Sequence, residues 1–171
     1  MKRIKSYLIF LVSLAGLSGC VKNEFPSVKG SFVEFDATTW NANAAGQTYP
    51  ILTRVPAFGR AVNTSDPLLT KNSGTIKIRV NLVGPHRSTD TQISYSVDAA
   101  ATTAVAGTHY TALPGTVTIP ANSSFGEINL VLLNTATPPP TSVDLVLMLT
   151  GGDGDVKANE NYKYIGLRIA Q

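Results

Sequence analysis

The stretch VDAAATTAVAGTHYTALPGTVTIP, from Val97 to Pro120, puts a carboxylate, Asp98, and an imidazole, His109, in one loop between two strand-like runs. Such a pair could move a proton, help to hold a metal ion, or turn a corner in a β-sandwich. The catalytic reading finds little support. The other histidine is His86, and neither imidazole stands in a metal-ligand spacing such as H-E-x-x-H. No G-x-S-x-G elbow marks a nucleophilic serine. Two solvated loop histidines are the expectation. A glycosidase needs two carboxylates flanking a cleft. Glu34, Asp36, Asp66, Asp90, Asp98, Glu127 and Asp144 are scattered, and nothing in their spacing selects a pair. The chain reads as a protein that is not an enzyme.

Aromatic residues suggest binding instead. Trp40, the sole tryptophan, lies in DATTWNANAAGQTY among threonines and amides, and Phe58 lies in the long segment that follows. An exposed ring can cover the C–H face of a sugar while neighbouring amides bond its hydroxyls. The competing reading, and the favoured one, has Trp40 plugging an end or edge of the sandwich, since tryptophan is highly buried on average. TGGDGDVK, Thr150 to Lys157, fits neither a calcium nonapeptide repeat nor an EF-hand loop and reads as a polar Gly/Asp turn.

The elements that must carry these residues are strands. TIKIRVNL, Thr75 to Leu82, alternates without fault, with Ile76, Ile78, Val80 and Leu82 on one face. TQISYSVD, Thr91 to Asp98, alternates again. SFVEFD (31–36), GTVTIP (115–120), FGEINLVLLN (125–134), SVDLVLMLT (142–150) and NYKYIGLRIA (161–170) are further strands. QTYPILTRV (47–55) is an edge or bulged strand because of Pro50, residues 56–74 read as a long loop, and 99–107 as an irregular crossover. NTATPPPT (134–141) is a stiff polyproline-like connection. Short strands separated by turn residues predict an all-β sandwich.

Residues 1–19 stand apart. Lys2, Arg3 and Lys5 precede the apolar run YLIFLVSLAGL, which is shorter than the roughly 20 residues of a membrane span. The run ends in LSGC, and Cys20 is the only cysteine of the 171-residue chain. This resembles a bacterial lipoprotein signal, with Cys20 the lipidated mature N-terminus. The expected organisation is a signal peptide at 1–19, a lipidated cysteine and tether at 20–30, and one domain at 31–171. Lipidation through several acyl chains anchors a protein firmly to a membrane. Val21 after the cysteine favours the outer membrane, with the facing side left open. Without the three basic residues of the signal, Lys plus Arg equals Asp plus Glu at 11. Zero net charge gives nucleic-acid binding no electrostatic support.

The segment Tyr95 to Asn134 resembles the Calx-beta domain family. The resemblance rests on Asp98, Ala106, Gly107, Tyr110, Gly115, Thr116, Ile119, Pro120, Ile128 and Leu130, and continues into VDLVLMLT. It implies an immunoglobulin-like antiparallel β-sandwich of about seven strands. Gly107 would supply a positive φ or a close backbone approach. The resemblance also implies calcium, which takes 6–8 oxygen ligands. Asp98 is kept, and Glu34 and Asp36 are the other candidate metal ligands, but His109 stands where the pattern prefers an acid. The 134–144 loop holds one acid, so the chain is short of calcium ligands and no cofactor is expected. The whole chain is similar to small lipoproteins encoded beside outer-membrane glycan-uptake systems. The leading expectation is a non-catalytic binding or accessory module with a polysaccharide or an outer-membrane protein as partner. The alternatives are a structural or adhesion module that pairs with proteins through its sheet edges, and a residual calcium-binding Calx-beta domain.

Overall fold

In the computed structural model, residues 30–135 and 141–171 are described, and these form an all-β sandwich. Cys20, the signal segment, most of the tether and the centre of the polyproline-like connection lie outside the described residues. The strands are β1 (Ser31–Phe35), β2 (Ile51–Leu52), β3 (Thr75–Val83), β4 (Thr91–Val97), β5 (Thr116–Ile119), β6 (Phe125–Val131), β7 (Ser142–Gly152), β8 (Val156–Ala158) and β9 (Tyr164–Ala170). One sheet has the order β6-β3-β1-β8 and the other β2-β9-β7-β4-β5. A single 3-10 turn at Ala37–Thr39 is the only helical element among the described residues.

Alternation produces the layers. Ile76, Ile78, Val80 and Leu82 of β3 are buried, while Lys77 and Val83 are exposed. Val33 and Phe35 of β1, Ile128 and Leu130 of β6, Leu145, Leu147 and Leu149 of β7, and Ile165, Leu167 and Ile169 of β9 complete one core. Burying a large aliphatic side chain contributes about 1.5–3 kcal/mol.

Most pairings are antiparallel, as expected, but β1–β8 and β2–β9 are parallel, so both sheets are mixed and carry nine strands in all. Alternation encodes which face of a strand is buried and leaves the direction of its neighbour open. Strand β8 begins inside the segment that the sequence reads as a polar turn, and the end of β7 occupies the first part of that segment. After β7 the chain turns through 153–155 and crosses to the opposite sheet, where Val156 is buried and Ala158 packs partly against the core. In the 47–55 stretch only Ile51–Leu52 is a strand, pairing with Gly166 and Leu167.

The opening loop is an architectural corner. Gly107 has φ +81° and donates its N–H to the Tyr110 carbonyl at 2.8 Å. Tyr110 is buried in the core.

Candidate functional site

The carboxylates come first, because catalysis or calcium would need them. Glu34, at the outer face of β1, accepts from Asn159 Nδ2 at 2.6 Å. Burial raises its pKa, the Asn159 bond opposes that, and the Asp36 charge adds to it. Asp36 caps the 3-10 turn, accepting from the Thr38 N–H at 3.1 Å, the Thr38 hydroxyl at 2.8 Å and Asn81 Nδ2 at 3.3 Å. Asp98 accepts from the Ala100 N–H at 3.0 Å, closing an Asx turn. Asp66 is bidentate with Arg60 and also accepts from the Asn63 N–H at 2.8 Å. Those bonds, the Arg60 one above all, lower its pKa to about 2. Glu127 pairs with Lys77 and Arg79, Asp144 with Arg168, Asp155 with Arg87, and Glu160 with Lys163. Asp90 and Asp153 accept from the Ala121 and Gln92 backbone.

Every carboxylate among the described residues therefore serves a protein donor. No three of His, Cys, Asp and Glu among them gather where they could hold a metal ion. Calcium, which the sequence resemblance implies, does not fit this donor set, because it requires several convergent carboxylate oxygens.

The histidines divide. His109 is buried, not solvated as the sequence suggested, and its Nδ1 accepts the Val105 N–H at 2.8 Å. The loop closes over the imidazole because the ring satisfies a backbone donor that would otherwise be orphaned. His86 is exposed, with Nε2 2.6 Å from Ser124 Oγ. Among the described residues no carboxylate bonds to that imidazole, so no Ser/His/Asp relay is assembled.

The aromatic candidates sit apart from each other. Phe58 lies over the outer face of the β6-β3-β1-β8 sheet, where the Arg79 guanidinium is 4.0 Å from its ring centre and 3.9 Å from that of Phe125. Trp40 leaves the 3-10 turn, packs partly against the core, and has its ring 6.4 Å from that of Tyr162, tilted by 54°.

Tyr162 belongs to a recess that local sequence patterns did not reveal. Asn43, Thr48, Glu160, Asn161, Tyr162, Lys163 and Tyr164 line an open cleft of about 590 Å³. Two loops build it. In the first, Ala44 donates to the Tyr49 carbonyl at 3.0 Å and Gln47 to the Ala44 carbonyl at 2.9 Å, folding 44–49 into a compact turn. In the second, Asn159 organises 159–162: its Oδ1 accepts the Asn161 N–H at 3.1 Å, its carbonyl accepts the Tyr162 N–H at 3.0 Å, and its own N–H bonds Val33 of β1. The Tyr162 carbonyl then accepts the Phe35 N–H at 3.0 Å, locking the turn to the sheet.

Gly166 joins the two loops. A Cβ there would lie 2.8 Å from Ile51 Cγ1 and 3.2 Å from the Pro50 carbonyl. Its absence lets the 49–52 segment lie on β9, where Gly166 donates to the Pro50 carbonyl at 2.9 Å. Tyr49 then stacks on Tyr164 at 5.7 Å and 29°. A second cleft of about 510 Å³, lined by Phe32, Met148, Val156 and Ala158 among others, is mainly apolar.

Comparison with known proteins places this geometry. No curated protein matches the chain. Among solved structures, the apo form of the Calx CBD1 domain aligns at a TM-score of 0.56 with 13% identity, covering 83% of this chain and 97% of that one. The Calx CBD2 domain aligns at 0.52 with 13% identity over 85% and 92%. At such identities the likeness is one of fold, and the fold is the Calx-beta-like, immunoglobulin-like sandwich. A family model described as a domain of unknown function, DUF4843, matches residues 68–162, more than half of the sequence, and the chain belongs to that family.

Proposed function

We propose that the protein is a non-catalytic recognition module, held on the outer membrane by lipid on Cys20 and working as an accessory to a glycan-uptake system. The observation that carries this reading is the cleft between residues 43–48 and 160–164. It is loop-borne, polar, rimmed by tyrosines and rigidly backed by the sandwich, as recognition sites on rigid scaffolds are. Within the cleft lining the one carboxylate is Glu160, paired with Lys163, so the lining holds no pair of carboxylates of the kind a glycoside hydrolase uses.

Pairing with proteins through sheet edges has less support. Edge strands β2 and β8 are two and three residues long. The longer edges β5 and β6 close on each other, with a Cβ at Gly126 falling 2.4 Å from the Thr118 carbonyl. Little free edge is left to template another strand.

The test is purification of the native lipoprotein from detergent-solubilised membranes. The expected outcome is recovery from the outer-membrane fraction with components of a glycan-uptake complex, and labelling by radioactive palmitate that Cys20→Ala abolishes. Recovery as an unlabelled protein with no companion would refute the proposal.

A further inference from the structure

We infer that the cleft formed by Asn43, Thr48, Asn161, Tyr162 and Tyr164 is a subsite for an uncharged sugar residue of a polysaccharide. This deepens the proposed function and rests on it. Three features on one surface point to the ligand class.

The first is unused hydrogen-bonding capacity. The side chains of Asn43, Thr48 and Asn161 have no intramolecular partner among the described residues, yet all three line the same cleft. An amide offers two donors and an acceptor, and a threonine hydroxyl offers both roles. That mixture suits vicinal hydroxyls, which also both donate and accept.

The second is an exposed aromatic surface. Tyr162 is 38% exposed although Trp40 backs its ring, and Tyr164 is held by Tyr49. Tyr162 is the ring that presents a face, braced at little entropic cost, whereas Tyr164 carries Tyr49 on its ring and the Lys163 ammonium 5.7 Å from its centre and contributes the rim; a tyrosine combines an apolar body with a polar tip. A sugar presents the complementary pattern, C–H groups on one face and hydroxyls at the edge.

The third is charge. The two ionised groups in the lining are Glu160 and Lys163, and they pair at 2.6 Å. The two opposite charges balance, so the lining carries no net charge to select an anionic ligand. The cleft volume of about 590 Å³ falls within the roughly 300–1,000 Å³ of ligand sites.

The test is retention of the detergent-solubilised full-length lipoprotein in native gels containing starch, xylan, yeast mannan or galactomannan, with heparin and pectin as anionic probes. Retention by at least one uncharged polysaccharide is expected, little altered by salt, because no net charge is screened. Tyr162→Ala and the double variant Asn43→Ala/Asn161→Ala are expected to weaken it about tenfold, which corresponds to a lost stacking or hydrogen-bonding contact. The double variant changes only exposed side chains, so its melting temperature should match the parent and separate binding from folding. Equal retention of the parent and the double variant would overturn the subsite while leaving glycan recognition in place. Retention only by the anionic probes, abolished by salt, would overturn the uncharged ligand. No retention by any probe would overturn the inference, whereas the membrane purification decides the proposed function separately.

Discussion

The Arg79 guanidinium lies 4.0 Å from the ring centre of Phe58, pinning the long 56–74 loop to the outer face of the sheet. Phe125 covers the other side of the same cation at 3.9 Å, and Glu127 reaches it at 3.4 Å. Phe58 is thus already engaged by a cation, and an aromatic residue that the sequence offers as a sugar platform is here a clasp on a loop.

Phe58→Ala and Arg79→Ala should each lower stability, and a double-mutant cycle should return a coupling of about 0.5–1 kcal/mol for the cation–ring contact. Arg79→Lys should not restore it, because an ammonium lacks the planar face that lies between two rings. Urea unfolding of the four proteins of the cycle and of Arg79→Lys measures this.

Gly126 is required by a close approach of backbones. Its φ is not positive, but a Cβ would meet the Thr118 carbonyl at 2.4 Å and Ile119 Cγ1 at 3.3 Å. Gly126→Ala should destabilise by at least about 1–3 kcal/mol, the usual cost of overpacking, since a carbonyl cannot turn aside as a flexible side chain would. Thermal unfolding of the variant checks this.

Glu34 should make the protein more stable in mild acid than its other carboxylates suggest. Burial raises its folded pKa above the usual 4.5, so the ionised form is disfavoured in the native state. Stability from this group is present below the unfolded pKa and is lost as pH rises through the folded one. Glu34→Gln keeps an acceptor for Asn159 and removes the charge. Its melting temperature should exceed the parent's at pH 7, with the difference vanishing below about pH 4. Melting curves across that range decide the point.

His109 should matter to folding and not to chemistry. His109→Ala removes the acceptor of the Val105 N–H, a part-buried hydrogen bond, at a cost of about 0.5–1.5 kcal/mol. Denaturant unfolding should show the loss, and addition of calcium should move neither protein's midpoint.

Much of the framework was legible beforehand. The alternation in 75–82 and 91–98 placed β3 and β4 almost to the residue, and Gly107 adopts the positive φ expected of it. β8 is not legible in the sequence because three residues carry too short a period to recognise, and its partner β1 lies more than a hundred residues away along the chain. The burial of His109 is not legible in the sequence, because a histidine's burial depends on whether the fold brings it a donor.

The order of apolar and polar residues by itself determined that this chain builds a sandwich, which side of each strand enters the core, and which chemistries lack their residues. It left Trp40 between two readings, a plug of the sandwich and a binding platform, with the plug favoured, and in the structure Trp40 packs partly against the core. Only the tertiary structure decided that Tyr162 and Tyr164 stand with Asn43 and Thr48, that every described carboxylate is engaged, and that two strand pairs run parallel. Hydrophobic periodicity is a local property of the chain, written within a few residues. The meeting of residues 43–48 with 160–164 depends on Gly166 admitting a distant backbone segment, and no local pattern records which segment that will be.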